Sequence, residues 1–158
     1  YLRPRSRGRL RLASAKPADK VRIEADYLSD AEGRDWQMML ECVRLSREIF
    51  AQPAFAPYRG EELFPGDKVR DEEGLREFIA HKAESIYHPV GTCRMGADDD
   101  AGAVLDPQLR VRGVKNLRVV DASAMPKLIG GNTNAPTIMI AERAADLIRG
   151  VPPRKQAK

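Results

Sequence analysis

The chain has 158 residues, of which 42% are hydrophobic and 32% are charged, and its formal net charge is +4. This composition supports a packed core and excludes wholesale disorder. No apolar run approaches the ~20 residues that a membrane-spanning helix requires, and the first residues lack the apolar stretch of a secretion signal.

The positive charge is concentrated at the N-terminal end. Residues 1–24 hold eight basic and two acidic groups, whereas the other 134 residues hold 19 basic and 21 acidic groups. Arginines recur here at every second position, which is the strand period, so we predict a strand over 8–14 with Leu10 and Leu12 on the face opposite the arginines. The alternative is a basic arm that binds nucleic acid. Since no aromatic stacking residue accompanies the arginines, a strand whose arginines face carboxylates or solvent is favoured.

Two helices are predicted in the rest of the front half, after a short extended segment over 21–25. The pair Ser29–Asp30 is a helix-start signal, and helical periodicity runs over 32–52. Asp71 caps the second helix. The residues predicted to face inward are Trp36, Met39, Leu40, Val43, Ser46 or Arg47, Ile49 and Phe50 in the first helix, and Leu75, Phe78, Ile79 and Ala83 in the second.

Residues 86–150 differ in character from residues 1–85, because they are rich in loops. A short strand over 109–111 and a buried parallel strand over 117–120 are predicted. A helix over 135–149 follows, with Pro136 in its first turn. Its predicted inward residues are Ile138, Ile140 or Ala141, Ala144, Ala145 and Ile148. The tail 151–158 is expected to be disordered.

The two cysteines and two histidines argue against a disulfide scaffold and against a metal site. Cys42 and Cys93 form no paired motif, so we expect two free thiols in a reducing compartment. His81 falls in the second helix beside Lys82 and is expected at the surface. With only one other histidine, no metal-ligand cluster is predicted.

His88 is the first candidate for chemistry. It precedes a proline, which restricts its backbone to extended geometry, and it lies in a glycine-containing loop. Imidazole exchanges protons near neutral pH, so a rigidly held histidine is a candidate general base. The alternative is a structural histidine that only makes hydrogen bonds.

Two further segments could contact a ligand. Residues 130–137 contain two glycines and two asparagines and lead directly into a helix, whose first amides favour negative charge. The alternative is simple N-capping by Asn134. In the second segment, Asp121 follows the predicted strand over 117–120, where it could bind a hydroxylated ligand or cap a turn.

Three motifs in this order resemble the C-terminal region of the glucose-methanol-choline (GMC) flavoprotein oxidoreductases. They are YHPVGTCRMG at 87–96, LRVVDASAMP at 117–126 and GNTNAPTIMIAERAADLI at 131–148. Choline dehydrogenase-like and alcohol dehydrogenase-like members are most similar. Ser6-Arg7-Gly8 resembles the family's turn before a strand, so the resemblance covers nearly all of residues 1–150.

The resemblance implies a set of roles for individual residues. His88 matches the active-site histidine, and Asn132 matches its catalytic partner. Asp121 and Ala122 match backbone that contacts the diphosphate-ribityl part of FAD. The stretch Asn132, Thr133 and Asn134 matches the part near the flavin pyrimidine ring. The reaction implied is oxidation of a primary, choline-like alcohol to an aldehyde, with a quinone or oxygen as electron acceptor.

The fold implied is α+β, an antiparallel sheet packed with helices, plus a strand and helix that complete the FAD domain. On this basis residues 1–116 are a substrate-binding portion and residues 117–150 belong to the FAD domain. The chain contains no G-x-G-x-x-G, the fingerprint that cradles the ADP half of FAD. We therefore expect a C-terminal fragment that is inactive alone and does not retain FAD.

Expectations about partners and location follow from the same resemblance. Apolar surface around 117–148 is expected to favour self-association of the fragment. For the parent enzyme we expect no nucleic acid partner and no transmembrane segment. We expect it in the cytoplasm, with peripheral attachment to the inner membrane as a variant of that location.

Overall fold

The structure is a computed structural model that describes residues 1–152. The expected disordered tail, 151–158, therefore lies outside the described residues from position 153 onward. The chain forms two compact units, one containing Tyr1 and residues 3–85 and the other containing Leu2 and the residues from Ile86 onward. This division falls where the sequence changes character. The functional division after residue 116 stays a prediction.

A two-stranded antiparallel sheet opens the first unit. Strand β1 spans Arg9–Arg11 and strand β2 spans Arg22–Glu24, both shorter than predicted, with Leu10 opposite Ile23. Two arginines of β1 face the Glu24 carboxylate, at 3.0 Å for Arg9 and 3.5 Å for Arg11. The arginine face thus meets a carboxylate, as the amphipathic-strand interpretation predicts. With the helices below, the sheet confirms the α+β class.

Helix α1 spans Arg34–Ala51. Its start is fixed by Asp30, whose carboxylate accepts hydrogen bonds from the backbone N–H groups of Arg34 at 2.7 Å and Asp35 at 3.0 Å. This satisfies amides that have no partner inside the helix. The helix begins two residues later than predicted, and Asp30 is the residue that stabilises its start.

Helix α2 spans Glu72–Lys82 and is capped as predicted, because the Asp71 carboxylate accepts a hydrogen bond from Gly74 N–H at 2.8 Å. The core of the first unit is the contact of α1 with α2, where Leu40, Leu75 and Ile79 are each at most 3% exposed. Trp36, Met39, Val43 and Phe78 pack around these three residues.

The apolar faces predicted for α1 and α2 extend further along each helix than the buried faces in the structure. Ile49 and Phe50 are 46% and 56% exposed, and Ala83 is an exposed residue that ends α2. These expectations were wrong because the core cluster involves α1 only as far as Val43. Periodicity alone does not show how far a neighbouring element reaches.

The second unit is built on helix α3, which spans Asn134–Arg149. Its core contains Leu105, Leu109, Ala124, Met125, Ile140 and Ala144, all buried. Ile140 and Ala144 face inward as predicted. Ile138 and Ile148, predicted inward, are instead 55% and 64% exposed. They lie on the side of α3 that no element within residues 86–152 covers.

The predicted strands over 109–111 and 117–120 are not formed as regular strands. Two segments approach each other in antiparallel fashion, with Val111 N–H donating to Leu117 C=O at 2.9 Å and Val119 N–H donating to Leu109 C=O at 3.2 Å. Residues 1–152 contain no parallel strand beside residues 117–120 to complete such a ladder, so a strand here that completes the FAD domain of a longer protein stays a prediction.

Further sequence predictions concern thiols, metals and membranes. Cys42 and Cys93 are both free thiols, as predicted. Within residues 1–152, histidine, cysteine and carboxylate side chains form no group of three or more that could hold a metal ion. None of the helices described here combines the length and hydropathy that crossing a membrane requires.

Candidate active site

The loop that carries His88 is hydrogen-bonded to the turn that follows Asp121. Cys93 N–H donates to Ser123 C=O at 3.1 Å, and Met95 N–H donates to Ala124 C=O at 3.0 Å. Val90, Cys93 and Met95 pack against the core of the second unit. Two of the three motifs singled out from the sequence are therefore adjacent in space.

Gly91 allows this close approach. Its φ is +89°, a conformation that side chains of L residues rarely adopt. A Cβ at this position would lie 3.4 Å from the Met125 carbonyl oxygen. Glycine is therefore the residue that fits the turn between His88 and Cys93.

Two of the three carboxylates in the acidic loop after the His88 segment pair with arginines. The Asp100 carboxylate accepts hydrogen bonds from the Arg94 guanidinium and, at 3.0 Å, from Gly102 N–H. These bonds lower the pKa of Asp100 to about 2. Asp98 pairs with Arg112 at 3.1 Å. The loop is fixed by these pairs rather than presented as a free carboxylate cluster.

The backbone of His88 is restricted by its two neighbours, and its imidazole ring makes a hydrogen bond. Tyr87 adopts a left-handed φ of 60°, and Pro89 restricts the other side. Nδ1 of the ring lies 3.1 Å from Oγ1 of Thr133. Because the ring nitrogens point in different directions, this hydrogen bond engages Nδ1 and not Nε2.

Thr133 brings the third motif to His88. It precedes α3, is 8% exposed, and its side chain makes no capping hydrogen bond to the helix. The alternative in which Asn134 caps the helix is wrong, because Asn134 is itself the first helical residue. Asn132 and Asn134 are both exposed. The structure thus brings Thr133 into a hydrogen bond with His88 and gives neither asparagine that contact.

The first turn of α3 presents unpaired donors. Within the described residues, the backbone N–H groups of Asn134 and Ala135 have no acceptor, and Pro136 has no N–H. The next amide, that of Thr137, donates to Thr133 C=O at 3.0 Å. This helix end can therefore donate two hydrogen bonds to an electron-rich group, supported by the helix dipole.

Asp121 is exposed and caps the short 3₁₀ turn Ala122–Ala124. Its carboxylate accepts hydrogen bonds from the N–H of Ser123 at 2.8 Å and from the Ser123 hydroxyl. Ala122 is half-buried against the core. Of the two roles considered for Asp121, capping of a turn is the one for which the structure gives contacts.

Residues 4–141 match the family model described as GMC oxidoreductase. The chain belongs to the GMC oxidoreductase family. The sequence resemblance to this family is thereby confirmed over most of the chain. The residues that match this GMC oxidoreductase model include the histidine loop, the turn after Asp121 and the start of α3.

Relatives of this GMC oxidoreductase include two choline dehydrogenases. An "Oxygen-dependent choline dehydrogenase" of Vibrio vulnificus (strain YJ016) is 51% identical over 157 residues, covering 97% of this chain and 28% of that protein. A "Choline dehydrogenase, mitochondrial" of Homo sapiens is 53% identical over 152 residues, covering 96% of this chain and 25% of that protein. The chain thus spans about a quarter of the length of the curated relatives it matches.

Several solved structures of oxidases and oxidoreductases superpose on this chain. Pyridoxine 4-oxidase from Mesorbium loti superposes with a TM-score of 0.84 at 34% identity, covering 96% of this chain and 29% of that one. A fungal aryl-alcohol oxidase superposes with a TM-score of 0.76 at 32% identity, covering 93% of this chain and 24% of that one. An oxidoreductase from Chaetomium thermophilum that is described as FAD-dependent has a TM-score of 0.81 at 30% identity.

Sequence reasoning found His88 and the segment 132–134 but missed the Thr133 hydrogen bond. The available signal was the position of a hydroxyl residue between two asparagines at the helix start. We interpreted those asparagines as the polar groups that act there. The side chain that is buried and bonded to the ring is the shorter threonine.

Proposed function

We propose that this chain provides the proton-accepting part of an FAD-dependent oxidation of a choline-like primary alcohol to an aldehyde. The observation that carries the proposal is the arrangement of His88. Its Nδ1 lies 3.1 Å from Oγ1 of Thr133, so Nε2 is the ring nitrogen that would meet a substrate. Membership of the GMC oxidoreductases supports the reaction class. The choline class of substrate is supported by relatives with about half of their aligned residues identical.

The start of α3 fits FAD by its chemistry. The two amides at Asn134 and Ala135 without an acceptor among the described residues, together with the helix dipole, suit an electron-rich acceptor. The exposed side-chain amide of Asn132 adds a donor. These groups would face the pyrimidine part of the flavin, and Asp121 and Ala122 would lie at its diphosphate-ribityl part. FAD, when bound, supplies the acceptor for the hydride of the substrate.

His88 has a defined part in the balanced reaction. The alcohol loses a hydride from its carbon and a proton from its hydroxyl, and the carbon–oxygen bond becomes the carbonyl of an aldehyde. His88 accepts the proton at Nε2. Asn132 donates a hydrogen bond to the same oxygen and orients it for the transfer. Both residues act on one substrate atom.

The remaining expectations concern the intact protein. Reoxidation by a quinone or by oxygen stays a prediction. So does a cytoplasmic location, with or without peripheral attachment to the inner membrane. The choline dehydrogenase names of the relatives support an alcohol donor paired with an electron acceptor.

The test is the replacement His88→Ala in the intact protein, with steady-state oxidation of choline as the measurement. Loss of a general base lowers turnover by about 10²- to 10⁴-fold. The matched control is His81→Ala. His81 is exposed on α2, where its Nδ1 lies 2.8 Å from the carbonyl oxygen of Glu77, and its replacement should leave turnover unchanged. Unchanged turnover in His88→Ala would refute the proposal.

A further inference from the structure

Thr133 is in an unusual position for a helix-start threonine. Residues of this type at the N-terminal end of a helix commonly accept a hydrogen bond from a backbone amide two or three positions on. The Thr133 side chain makes no such bond, and its hydroxyl lies 3.1 Å from Nδ1 of His88 instead. With 8% of its surface exposed, the residue is shielded from water, so water competes little for the hydroxyl.

A hydroxyl can either donate to Nδ1 or accept from it, and the choice determines the histidine tautomer. If Oγ1 donates, the neutral ring carries its proton on Nε2, which then has no lone pair for a substrate proton. If Nδ1–H donates to Oγ1, Nε2 keeps its lone pair. The same bond also persists in the protonated ring, because both nitrogens are then donors.

We propose that Thr133 is a positioning residue that holds His88 in the tautomer with the proton on Nδ1, so that Nε2 is the base. This inference rests on the proposed role of His88 as proton acceptor. It assigns to Thr133 a function beyond contact with the cofactor. The Thr133 hydroxyl accepts from Nδ1–H before and after the proton arrives at Nε2, so the ring keeps its orientation throughout.

Three replacements separate this role from a structural one. Thr133→Val keeps the branched shape and removes the acceptor. Thr133→Ser keeps the acceptor. Thr137→Val is the matched control. It removes a hydroxyl from the same turn, and in the described part of the chain that hydroxyl donates to the Thr133 carbonyl at 2.7 Å rather than to the His88 ring.

The measurement is ¹⁵N NMR of the ring nitrogens in intact protein labelled at histidine, at a pH where the ring is neutral. The His88 signals are identified by their loss in His88→Gln. Wild type, Thr133→Ser and Thr137→Val should show mainly the Nδ1–H form. Thr133→Val should shift the tautomer ratio about fivefold toward Nε2–H, which is the effect of losing one ordinary hydrogen bond. Choline turnover should fall in proportion to the lost Nδ1–H fraction, which is a smaller factor than the change in the ratio, and be restored in Thr133→Ser.

Two results would overturn the inference. One is a wild-type ring that is mainly Nε2–H, which needs no variant and so does not depend on how Thr133→Val folds. The other is a folded Thr133→Val protein with the wild-type tautomer ratio. Neither result depends on turnover, so the inference and the proposed function fail separately. Unchanged choline oxidation in His88→Ala refutes the proposed function and, with it, the role of Nε2 as base, whereas the tautomer held by Thr133 is read from the NMR signals alone.

Discussion

Asp35 is a charged residue in the first turn of α1, and it is only 1% exposed. Its carboxylate accepts hydrogen bonds from the hydroxyl of Tyr1 at 2.9 Å and from the backbone N–H groups of Arg5 at 2.9 Å and Ser6 at 2.8 Å. Burial acts to raise its pKa, but these hydrogen bonds outweigh burial and lower it to about 2. Through these hydrogen bonds Asp35 holds the N-terminal segment against α1.

Replacing Asp35 by Asn should loosen this segment. An amide oxygen carries no charge, and hydrogen bonds to charged groups are stronger than those to neutral ones. We expect the amides of Arg5 and Ser6 to exchange with solvent about tenfold faster at neutral pH, measured by hydrogen exchange. Asp19→Asn, on the exposed turn before β2, is the control. Equal exchange in both variants would contradict the role of Asp35.

The same carboxylate predicts a pH dependence with a definite sign. The pKa of Asp35 in the folded chain, about 2, is below its ordinary value of 3.8. Its contribution is therefore complete above the ordinary value and is lost as pH falls from 3.8 through about 2. Protection of the Arg5 and Ser6 amides, corrected for intrinsic exchange, should decrease in this window. In Asp35→Asn, protection that decreases equally there would contradict the assignment.

Single residues also show where sequence reasoning succeeds. His88 could be found from its neighbours, because a proline and a glycine next to a histidine restrict the backbone in a recognisable way. Asp35 and Thr133 could not, since their importance comes from partners about 30 and 45 positions away in the chain. Nothing in the local pattern distinguishes them from exposed polar residues.

At the scale of elements, the contact between the His88 loop and the turn after Asp121 depends on Gly91. Gly91→Ala would place a Cβ in a left-handed conformation and against the Met125 carbonyl. We expect it to cost about 1 kcal/mol and to lower choline turnover, because the loop that holds His88 must shift. Thermal unfolding and steady-state kinetics are the measurements.

Gly60→Ala is the matched control for this prediction. Gly60 has open space where a Cβ would be, and its φ is not in the left-handed range. The control should change neither stability nor turnover by a measurable amount. If Gly91→Ala behaves like Gly60→Ala, the contact does not position the histidine loop.

Helix boundaries were predicted to within two residues, because capping signals such as Asp30 and Asp71 are local. The faces of the helices were predicted less well. Ile138 and Ile140 are both predicted to face inward, yet Ile138 is 55% exposed, since residues two positions apart lie on different sides of a helix. The apolar run over 117–120 predicts a parallel strand, and within residues 1–152 it has no parallel neighbour. Periodicity and composition describe what an element could bury, whereas burial depends on which other elements are present.

At the scale of the whole molecule, the chain covers about a quarter of its choline dehydrogenase relatives and has no G-x-G-x-x-G. We predict that the 158-residue chain alone binds FAD too weakly to retain it. Gel filtration after incubation with FAD should yield a colourless protein with no choline turnover. A yellow protein with one FAD per chain would contradict this prediction.

Apolar residues on the exposed side of α3 affect how whole molecules associate. Ile138, Met139 and Ile148 are each at least 55% exposed, and Leu117 is 48% exposed. Surface of this kind favours association when it is contiguous. Self-association of the isolated chain stays a prediction, which sedimentation equilibrium measures directly.

The central claim is that His88 accepts the substrate proton while the substrate is oxidised. The most direct measurement mixes intact protein with choline in the absence of any electron acceptor and follows flavin reduction in a single turnover. This isolates the chemical step from reoxidation. We predict that His88→Ala slows reduction by about 10²-fold or more, whereas His81→Ala reduces flavin at the wild-type rate. Reduction at the wild-type rate in His88→Ala would contradict it.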